Sequence, residues 1–349
     1  MKNNFNTRVG VILVNWCGWR DTQLSLETLF GSDYLYFDAV VVDNASDDNS
    51  VKHLIAWAEG SELVDTPVQL IDRVKVRDTK SVVPYVYLDA QAHASFNGNV
   101  QRLTIIQAGE NCGFAGGNNI GLTYLRQHGC YDYFWLLNND AFPAPDALSH
   151  MVARALNNPS LGQIGATLIF AGRPEVVQAH GGAVYEHKSG RAYHIGAESN
   201  VVDLPDVQES DVEERMSYVV GASILVTDRF LDRIGVMEES YFLYFEELDW
   251  AERGKPEFGL GYARDALVYH KAGGSTQKAS RRSVMAAYYL ARNRIIVTKR
   301  FYPAFVSSVK RSIFIEFLKY VARARWSEAR GYFRALRESF GIAYKVGRP

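Results

Sequence analysis

Apolar runs that stop abruptly at polar residues recur along the first half of this chain. Runs of this length are typical of strands that are buried on both faces of a parallel sheet. Segments whose apolar residues recur at helical spacing lie between them. We therefore predict an α/β fold in which a mixed but mainly parallel, Rossmann-like sheet is flanked by helices. The predicted strands are Val9–Val14, Ala39–Val42, Leu103–Ile106, Tyr133–Leu137 and Gly162–Phe170, and the predicted helices are Asp21–Phe30, Asn118–His128 and Ala147–Leu156.

Polar side chains follow three of these strands directly. Asn15 ends the first, Asp43 the second, and Asn138-Asn139-Asp140 follows Leu137. Open α/β sheets place ligands at the carboxyl ends of their strands, where Asp43 could accept hydrogen bonds from a nucleotide. A divalent cation bound to phosphates takes one or two protein carboxylates, and Asp140 could supply one. Both segments also fit a plain helix cap or a strand-ending turn, so the residues alone leave two interpretations open.

A glycine-rich stretch lies between the third and fourth predicted strands. Gly113, Gly116 and Gly117 precede the helix predicted from Asn118. Glycines that lead into a helix N-terminus allow close backbone approach and are typical of anion sites. The spacing matches neither the dinucleotide fingerprint nor the P-loop, which argues against a nicotinamide-dependent oxidoreductase.

Three of the four carboxylates on one predicted helix, Tyr241–Arg253, lie within four consecutive residues. Glu246, Glu247 and Asp249 follow an aromatic cluster, and such crowding raises pKa values as a general base requires. A surface helix with Glu–Arg pairs is the alternative. Upstream, Tyr218–Val226 is predicted as one buried strand with a notch of small residues at Gly221. A further strand ends at His270, where a ligand role competes with a structural one.

Two regions depart from the α/β pattern. Residues 60–99 are predicted as a β-rich insertion that contains strands at Val68–Ile71, Val82–Val83 and Tyr85–Leu88 and a hairpin turn at Asn97-Gly98. Its role is open between acceptor selection and contact within a homo-oligomer. The acidic residues 198–214 are predicted as a solvated, mobile loop.

Composition excludes several classes of protein. The chain has 349 residues, 47% hydrophobic and 22% charged, and a net charge of −1, which is typical of a globular protein and argues against a nucleic-acid partner. Its three cysteines form no CxxC pair, so we expect a reducing, cytoplasmic location. The polar N-terminus lacks the apolar segment of a signal peptide, and no apolar run is long enough to span a membrane.

The near-neutral total conceals a basic C-terminus. Residues 292–349 contain 14 Lys and Arg against 3 Asp and Glu, a net charge of +11. Residues 301–349 are predicted as amphipathic helices with an apolar face of Phe305, Val309, Ile313 and Phe317. Such helices either lie on the inner, anionic face of a cell membrane or pack on the core with a solvated basic face.

Six stretches of the sequence, from Val11–Trp16 to Tyr289–Arg294, follow one another in an order that resembles glycosyltransferase family 2, especially its bacterial rhamnosyltransferase-like members. The resemblance implies a GT-A fold over residues 1–300, followed by the helical tail. It also implies a nucleotide-diphosphate-sugar donor, a dTDP- or UDP-sugar with dTDP-rhamnose as one candidate. The acceptor would be a hydroxyl of a glycan or of a lipid-linked saccharide in surface polysaccharide synthesis. The matching stretches are Val11–Trp16, Val42–Asp47, Asn111–Asn119, Leu136–Asp140, Phe242–Glu247 with Asp249 and Arg253, and Tyr289–Arg294.

The same resemblance assigns roles to individual residues. Asp140 becomes the expected ligand of Mg²⁺ or Mn²⁺, with His270 as a second contact. Glu247 becomes the expected catalytic base beside Glu246, one methylene longer than the Asp usual in the family. A single displacement would invert the sugar's configuration. A catalytically silent sugar-nucleotide or glycan-binding module is the alternative. The residues that we place around the donor are Asn15, Asp43, Asn44, Gly113, Gly116, Gly117, Asn118, Asn138, Asn139 and Arg292.

Overall fold

The computed structural model describes residues 7–77, 81–92, 96–271 and 280–340, without the side chains of 280–283. Strands and helices alternate over the first half, as predicted. The strands are β1 (Val9–Asn15), β2 (Phe37–Asp43), β3 (Tyr85–Leu88), β4 (Leu103–Gln107), β5 (Tyr133–Leu137), β6 (Ala141–Pro143), β7 (Leu161–Phe170), β8 (Arg173–His180), β9 (Gly182–Glu186), β10 (Arg191–His194), β11 (Tyr218–Val219), β12 (Ser223–Thr227) and β13 (Gly259–His270). The helices are α1 (Trp19–Phe30), α2 (Ser50–Ala58), α3 (Gly113–His128), α4 (Ala147–Asn157), α5 (Glu209–Arg215), α6 (Asp228–Ile234), α7 (Glu246–Gly254), α8 (Ser280–Phe301), α9 (Val306–Ala322) and α10 (Trp326–Ser339).

A mixed sheet forms the centre of the molecule. Its strand order is β3-β4-β2-β1-β5-β12-β7-β13-β6, with β8 paired to β7. The five strands from β3 to β5 are parallel, β12 is antiparallel to both of its neighbours, and β7 and β13 are parallel again. The prediction of a mainly parallel α/β sheet flanked by helices is therefore confirmed.

Alternation along the strands explains why both faces of this sheet are buried. Val11 and Leu13 of β1 belong to the apolar cluster that includes residues of α1, α2 and α4. Ile12 between them belongs to the cluster on the other face, with residues of α3, α6 and α7. Because successive side chains of a strand point to opposite faces, a continuous apolar run packs against helices on both sides.

The C-terminal helices form a separate apolar cluster. Residues of α8, α9 and α10 pack together there, and among the described residues no helix is long and apolar enough to cross a membrane. Salt bridges from Arg294 of α8 and from Arg191 of β10 to Glu316 of α9 attach this cluster to the smaller sheet β10-β9-β11. The predicted helical tail is thus confirmed over its described residues.

Of the strands predicted in residues 60–99, only Tyr85–Leu88 is a strand, β3, in the described part of this segment. Val68–Leu70 is a 3-10 helix in which Leu70 is buried and Val68 is exposed, so the apolar residues do not alternate as in a strand. Strand β3 joins the edge of the central sheet parallel to β4. A parallel pair requires a crossover, so Asn97-Gly98 cannot form a hairpin between them.

The acidic segment 198–214 was also misinterpreted, because most of it is helical. Asn200 accepts a hydrogen bond from the Val202 amide and begins a 3-10 helix, and α5 follows. Glu213 of α5 forms a salt bridge of 2.6 Å with Arg154, and its carboxylate also accepts a hydrogen bond from the Tyr262 amide. These long-range partners fix a segment that has too few apolar residues to be predicted as structured.

Candidate active site

Asn15 and Asp43 lie side by side at the carboxyl ends of β1 and β2, as the sequence predicts. The Asn15 amide donates a hydrogen bond of 2.7 Å to the Asp43 carboxylate. Asp43 also accepts hydrogen bonds from the amide and hydroxyl of Ser46 and from Gln107. Both carboxylate oxygens of this buried Asp43 therefore have protein partners, and its network fixes the loop that follows β2.

Asn44 bridges this loop to the glycine-rich segment. Its side-chain nitrogen donates to the Gly113 carbonyl at 2.8 Å, while its buried Oδ1 has no hydrogen-bond partner among the described residues. A Cβ on Gly117 would lie 3.1 Å from the Asn44 nitrogen and 2.7 Å from Val14. Gly117 thus allows helix α3 to pack directly on β1 and against Asn44.

The predicted glycine loop is instead the first two turns of α3, which begins at Gly113 rather than at Asn118. Gly113 has a φ of +72°, and a Cβ there would lie 2.2 Å from the Phe242 carbonyl oxygen. That carbonyl accepts the Phe114 amide at 2.8 Å. Gly116 packs against Cys112, and the Asn118 side chain donates back to the Phe114 carbonyl. The glycines therefore serve helix packing, and a protein carbonyl occupies part of the helix N-terminus.

Asn138, Asn139 and Asp140 form a tight turn between β5 and β6. The Ala141 amide donates to the Asn138 carbonyl at 3.1 Å, and the Asn139 side chain donates to Thr22 at 3.0 Å. Thr22 in turn donates to the Asn15 side chain at 2.8 Å. Asn138–Asp140 is thus a strand-ending turn, and its hydrogen bonds also hold Asp140 near Asn15 at the carboxyl edge of the sheet. A structural turn and a metal-binding role for Asp140 are therefore compatible.

Asp140 and His270 meet where β13 pairs with β6. His270 Nε2 lies 3.1 Å from Asp140 Oδ1 and 3.4 Å from the Asn138 side chain, and Nδ1 lies 2.9 Å from Gln178 Oε1. Both ring nitrogens of His270 thus face oxygens that accept hydrogen bonds, and an N–H on Nε2 donates to Asp140. A cation bound to Nε2 would take the place of that proton. Burial raises the pKa of Asp140, but the hydrogen bond and charge of His270 outweigh this, so that the pKa lies below its usual range.

This pair fits a divalent cation that takes its other ligands from elsewhere. A carboxylate, an imidazole nitrogen and a neighbouring amide suit Mn²⁺ or a related cation, and the Gln178 contact is the kind that orients a metal-binding histidine. The described residues include no group of three or more His, Cys, Asp or Glu that could hold a metal ion. Such a cation would therefore take most of its ligands from phosphates or water.

The segment before Glu246 is a strained aromatic loop rather than the predicted helix. Phe242, Tyr244 and Phe245 all have positive φ values, and α7 begins only at Glu246. At Phe242 the angles φ 66° and ψ −49°, with a hydrogen bond of 2.8 Å from the Leu243 amide to the Tyr241 carbonyl, define a γ-turn. Each such residue costs roughly 1–3 kcal/mol and persists only where its surroundings enforce it.

One buried amide enforces this loop. The side-chain nitrogen of Asn293 on α8 lies within 3.0 Å of the carbonyl oxygens of Tyr241, Leu243 and Tyr244. Arg292, predicted at the donor, donates a hydrogen bond of 2.7 Å to Asn293 Oδ1. These two residues therefore hold the loop from which α7 and its carboxylates project.

Glu246 is buried and Glu247 is half-buried beside it, and neither has a cationic partner among the described residues. Burial raises the pKa of Glu247 to about 7. It also raises the pKa of Glu246 well above its usual range, with a further contribution from the charge of Glu247. Glu246 Oε2 has no hydrogen-bond partner in the described part of the chain, whereas Glu247 keeps part of its surface exposed. The pair can therefore hold a proton near neutral pH, and Glu247 is the member that can exchange it.

Asp249, one turn further along α7, has the opposite surroundings. It accepts a hydrogen bond from the Tyr241 hydroxyl and forms salt bridges of 2.8 Å with Arg253 and 2.7 Å with Arg300. The three carboxylates of the predicted cluster thus separate into a neutralised anchor and an uncompensated pair.

A break in the sheet connects the two halves of the site. Tyr218–Val226, predicted as one strand, is divided into β11 and β12, which belong to different sheets. At the break, a Cβ on Gly221 would lie 2.1 Å from Glu247 Oε1, and the next residue, Ala222, accepts the Asn138 amide at 3.0 Å. The notch predicted at Gly221 therefore receives the Glu247 carboxylate, and adjacent residues of one turn contact Glu247 and the Asn138–Asp140 turn.

Sequence reasoning missed four residues of this arrangement: Thr22, Gln178, Gly221 as the contact of Glu247, and Asn293. Thr22 and Gln178 lie on an ordinary helix and strand, so no local pattern distinguishes them. Asn293 stands within Tyr289–Arg294, between Arg292 and Arg294, so a polar residue there does not stand out in the sequence.

Solved structures resemble the fold of this chain. The mannosyltransferase PcManGT from Pyrobaculum calidifontis, in complex with GDP-Man and Mn²⁺, superposes with a TM-score of 0.52 and 14% identity over 96% of this chain and 88% of its own. GalNAc-T7 with UDP, GalNAc and Mn²⁺ superposes with a TM-score of 0.56 and 12% identity over 96% of this chain, which spans 54% of that protein. The chain has the GT-A fold. No protein-family model and no curated protein matches its sequence, so the GT-A likeness rests on structure alone.

Proposed function

We propose that this protein is an inverting, metal-dependent glycosyltransferase that uses a nucleotide-diphosphate-sugar donor. One observation carries the proposal. Residues 220–223 form one turn that contacts both Glu247, whose pKa is raised to about 7, and Asn138, the first residue of the turn that holds Asp140 beside His270. The GT-A fold adds support, because PcManGT holds GDP-Man and Mn²⁺ and GalNAc-T7 holds UDP and Mn²⁺.

The proton transfer in this reaction is the task of Glu247. Its carboxylate is partly exposed and lies against Gly221, and with a pKa of about 7 it is able to accept a proton from an acceptor hydroxyl. Glu246 behind it has no cationic partner among the described residues, and its burial helps to keep the pair's proton affinity high. The strained aromatic loop and Asn293 hold both glutamates in place.

Asp140 and His270 would hold the divalent cation, oriented by Gln178. When bound, Mg²⁺ or Mn²⁺ would neutralise the charge that develops on a departing diphosphate. Asp140 suits this role because its lowered pKa keeps it ionised at neutral pH. Asn15, Asp43 and Asn44 form the adjacent edge of the sheet, where we place the nucleotide.

We propose inversion because we assign the role of a covalent nucleophile to no group of the site. Retention would require a second displacement through a covalent intermediate. Glu247 and Glu246 are proposed to act in proton transfer, and we assign no covalent role to any other group of the site. The sugar, the base and the acceptor are proposed from the family resemblance: a dTDP- or UDP-sugar, with dTDP-rhamnose as one candidate, and a glycan or lipid-linked saccharide.

A donor screen tests the proposal. Thermal unfolding would be followed with dTDP-, UDP- and GDP-sugars, each with and without Mn²⁺, since a ligand that binds only the native state raises its stability in proportion to affinity. Transfer and hydrolysis of the stabilising donor would then be measured for wild type and Glu247→Gln. We expect metal-dependent turnover that Glu247→Gln abolishes. Donor binding without turnover, unchanged in Glu247→Gln, would indicate a sugar-nucleotide-binding module instead.

A further inference from the structure

Helices α9 and α10 each have a second apolar face that the fold leaves uncovered. The stripe predicted from the sequence is partly internal, because Val309 and Ile313 are fully buried beside α8. On another face of the same helices, Phe314 of α9 is 50% exposed and Phe333 of α10 is 54% exposed. The fold thus uses one apolar stripe for packing and leaves another in contact with solvent, which needs an explanation when large side chains cluster.

The exposed aromatic residues border a groove between α9 and α10. Its volume is about 750 Å³, and its walls are almost entirely apolar with cationic residues along its edge. Phe340, which is 67% exposed, also lines the groove, and Lys310 Nζ lies 4.5 Å from the centre of its ring. The lining residues are Ser307, Lys310, Arg311, Phe314, Phe317, Phe333, Leu336, Arg337 and Phe340.

Aromatic residues and arginines alternate along the same face of α10. Trp326, Arg330, Phe333, Arg337 and Phe340 follow one another at steps of four and three residues, the spacing that places side chains on one side of a helix. Trp326 is 58% exposed. This pattern, amphipathic rings interspersed with long cationic side chains, is typical of helices that lie in a membrane interface.

The acidic residues of this region do not reduce the positive charge of that face. Glu316 forms salt bridges with Arg294 and Arg191, Glu328 pairs with Arg325, and Glu338 pairs with Arg334. The exposed cations Arg311 and Arg330, by contrast, have no carboxylate partner among the described residues. The uncovered apolar face is therefore also the face with unneutralised positive charge.

We propose that this face, defined by Arg311, Phe314, Arg330 and Phe333, docks on the surface of an anionic bilayer. The phenylalanines would insert between lipid chains, while the arginines contact headgroup phosphates. Charge complementarity selects this occupant, because a second copy of the chain would bring the same cations into contact with one another. The proposal goes beyond the proposed function and does not depend on it, since docking requires no donor and no transfer.

Vesicle sedimentation with the full chain tests the docking face. The wild type is expected to bind vesicles with about one third phosphatidylglycerol at low salt and to bind pure phosphatidylcholine vesicles far more weakly. Phe314→Ser/Phe333→Ser is expected to lower the partition coefficient by roughly tenfold or more, because two inserted rings are lost. Leu63→Ser/Val68→Ser, which alters residues that are 71% and 82% exposed outside the tail, is the matched control and should bind as wild type.

The charge contribution is tested separately. Arg311→Gln/Arg330→Gln should weaken binding to the anionic vesicles by roughly tenfold and should reduce its dependence on salt. Arg229→Gln/Lys255→Gln, at exposed cations outside the tail, should leave binding unchanged. The salt dependence and the lipid selectivity of the wild type test the proposal even if a variant fails to fold.

Four results would overturn the proposal. If the wild type and both tail variants bind vesicles equally, this face has no role in docking. If the wild type binds neutral and anionic vesicles equally, its positive charge has no role. A wild type that ignores vesicles but sediments as a dimer, with Phe314→Ser/Phe333→Ser monomeric, would identify the face as a self-association surface. Binding that appears only after deletion of residues 341–349 would show that this segment, and not lipid, occupies the groove of the full chain.

Discussion

Two carboxylate centres of the site, Asp140 and the Glu246–Glu247 pair, have opposite surroundings. Asp140 lies 3.1 Å from His270 and has a lowered pKa. Glu246 is buried and Glu247 half-buried, with no cation beside them among the described residues, and their pKa values are raised. The same kind of side chain is therefore kept charged in one place and kept ready to take up a proton in the other.

This difference explains why the fold brings the two centres to one turn. A site in which acid groups have pKa values pushed apart can bind a cation and exchange a proton at the same pH. Asp249 provides an internal control, because it belongs to the same helix as the glutamates but is neutralised by Arg253 and Arg300. Position on α7 therefore does not determine whether a carboxylate has a cationic partner; the side chains that pack around it do.

Removing the charged centre should have the largest effect. Asp140→Ala is expected to lower metal-dependent transfer by about three orders of magnitude or more, because it removes the carboxylate ligand of the cation. Transfer rates at saturating Mn²⁺ would measure the loss, and urea unfolding would verify that the fold is intact. Asp146→Ala, at an exposed carboxylate near the start of α4, should retain wild-type rates. Near-normal transfer by Asp140→Ala would return Asn138–Asp140 to a structural turn.

Glu247→Gln should have the second-largest effect and lower the rate of transfer by roughly 10²–10⁴-fold, the usual contribution of a general base. The wild-type kcat/KM should rise with pH up to about 7, because Glu247 is protonated and inactive below its raised pKa and ionised above it. The residual rate of Glu247→Gln should lack this rise. A wild-type profile that is flat between pH 5 and 8 would contradict the assignment of Glu247 as base.

Gln178→Ala should have a smaller effect, which is confined to the affinity for the divalent cation. The Gln178 oxygen faces Nδ1 of His270 at 2.9 Å, and loss of such an orienting contact typically weakens metal affinity about 10–100-fold. The Mn²⁺ concentration that gives half-maximal transfer should rise accordingly, while the rate at saturating Mn²⁺ and the pH profile stay near wild type. Gln163→Ala, at another buried glutamine, is a control for general damage to the core. An unchanged Mn²⁺ requirement in Gln178→Ala would argue against His270 as a ligand.

The sequence predicts the edge of the sheet better than it predicts the loops above it. Asn15, Asp43 and Asp140 end long apolar runs, and strand burial alone places them together. The break at Gly221 and the γ-turn at Phe242 were predicted as regular structure, because local propensity favours a strand and a helix there. Both depend on contacts with residues distant in sequence, such as Asn293, and a single sequence contains no local sign of such contacts.

The smallest effect should be on stability, and it distinguishes Glu246 from Asp249. A carboxyl group whose pKa is raised on folding binds more protons in the native state than in the unfolded chain between the two pKa values. The wild type should therefore lose stability as pH rises from about 4.3, the unfolded value, through the raised native pKa of the pair. Glu246→Gln removes the buried charge while keeping the shape, so we expect it to increase the free energy of unfolding at pH 8 by about 1–2 kcal/mol and to have little effect at pH 5.

Asp249→Asn should destabilise the protein at pH 8, whereas Glu246→Gln should stabilise it. Asp249→Asn leaves Arg253 and Arg300 without their carboxylate and should lower the free energy of unfolding by about 2–3 kcal/mol at pH 8. Urea unfolding at both pH values measures the two variants under the same conditions. Destabilisation by Glu246→Gln at pH 8 would mean that Glu246 has a partner in the native state. The contrast between compensated and uncompensated carboxylates on α7 would then be lost, and Glu247 alone would carry the raised proton affinity.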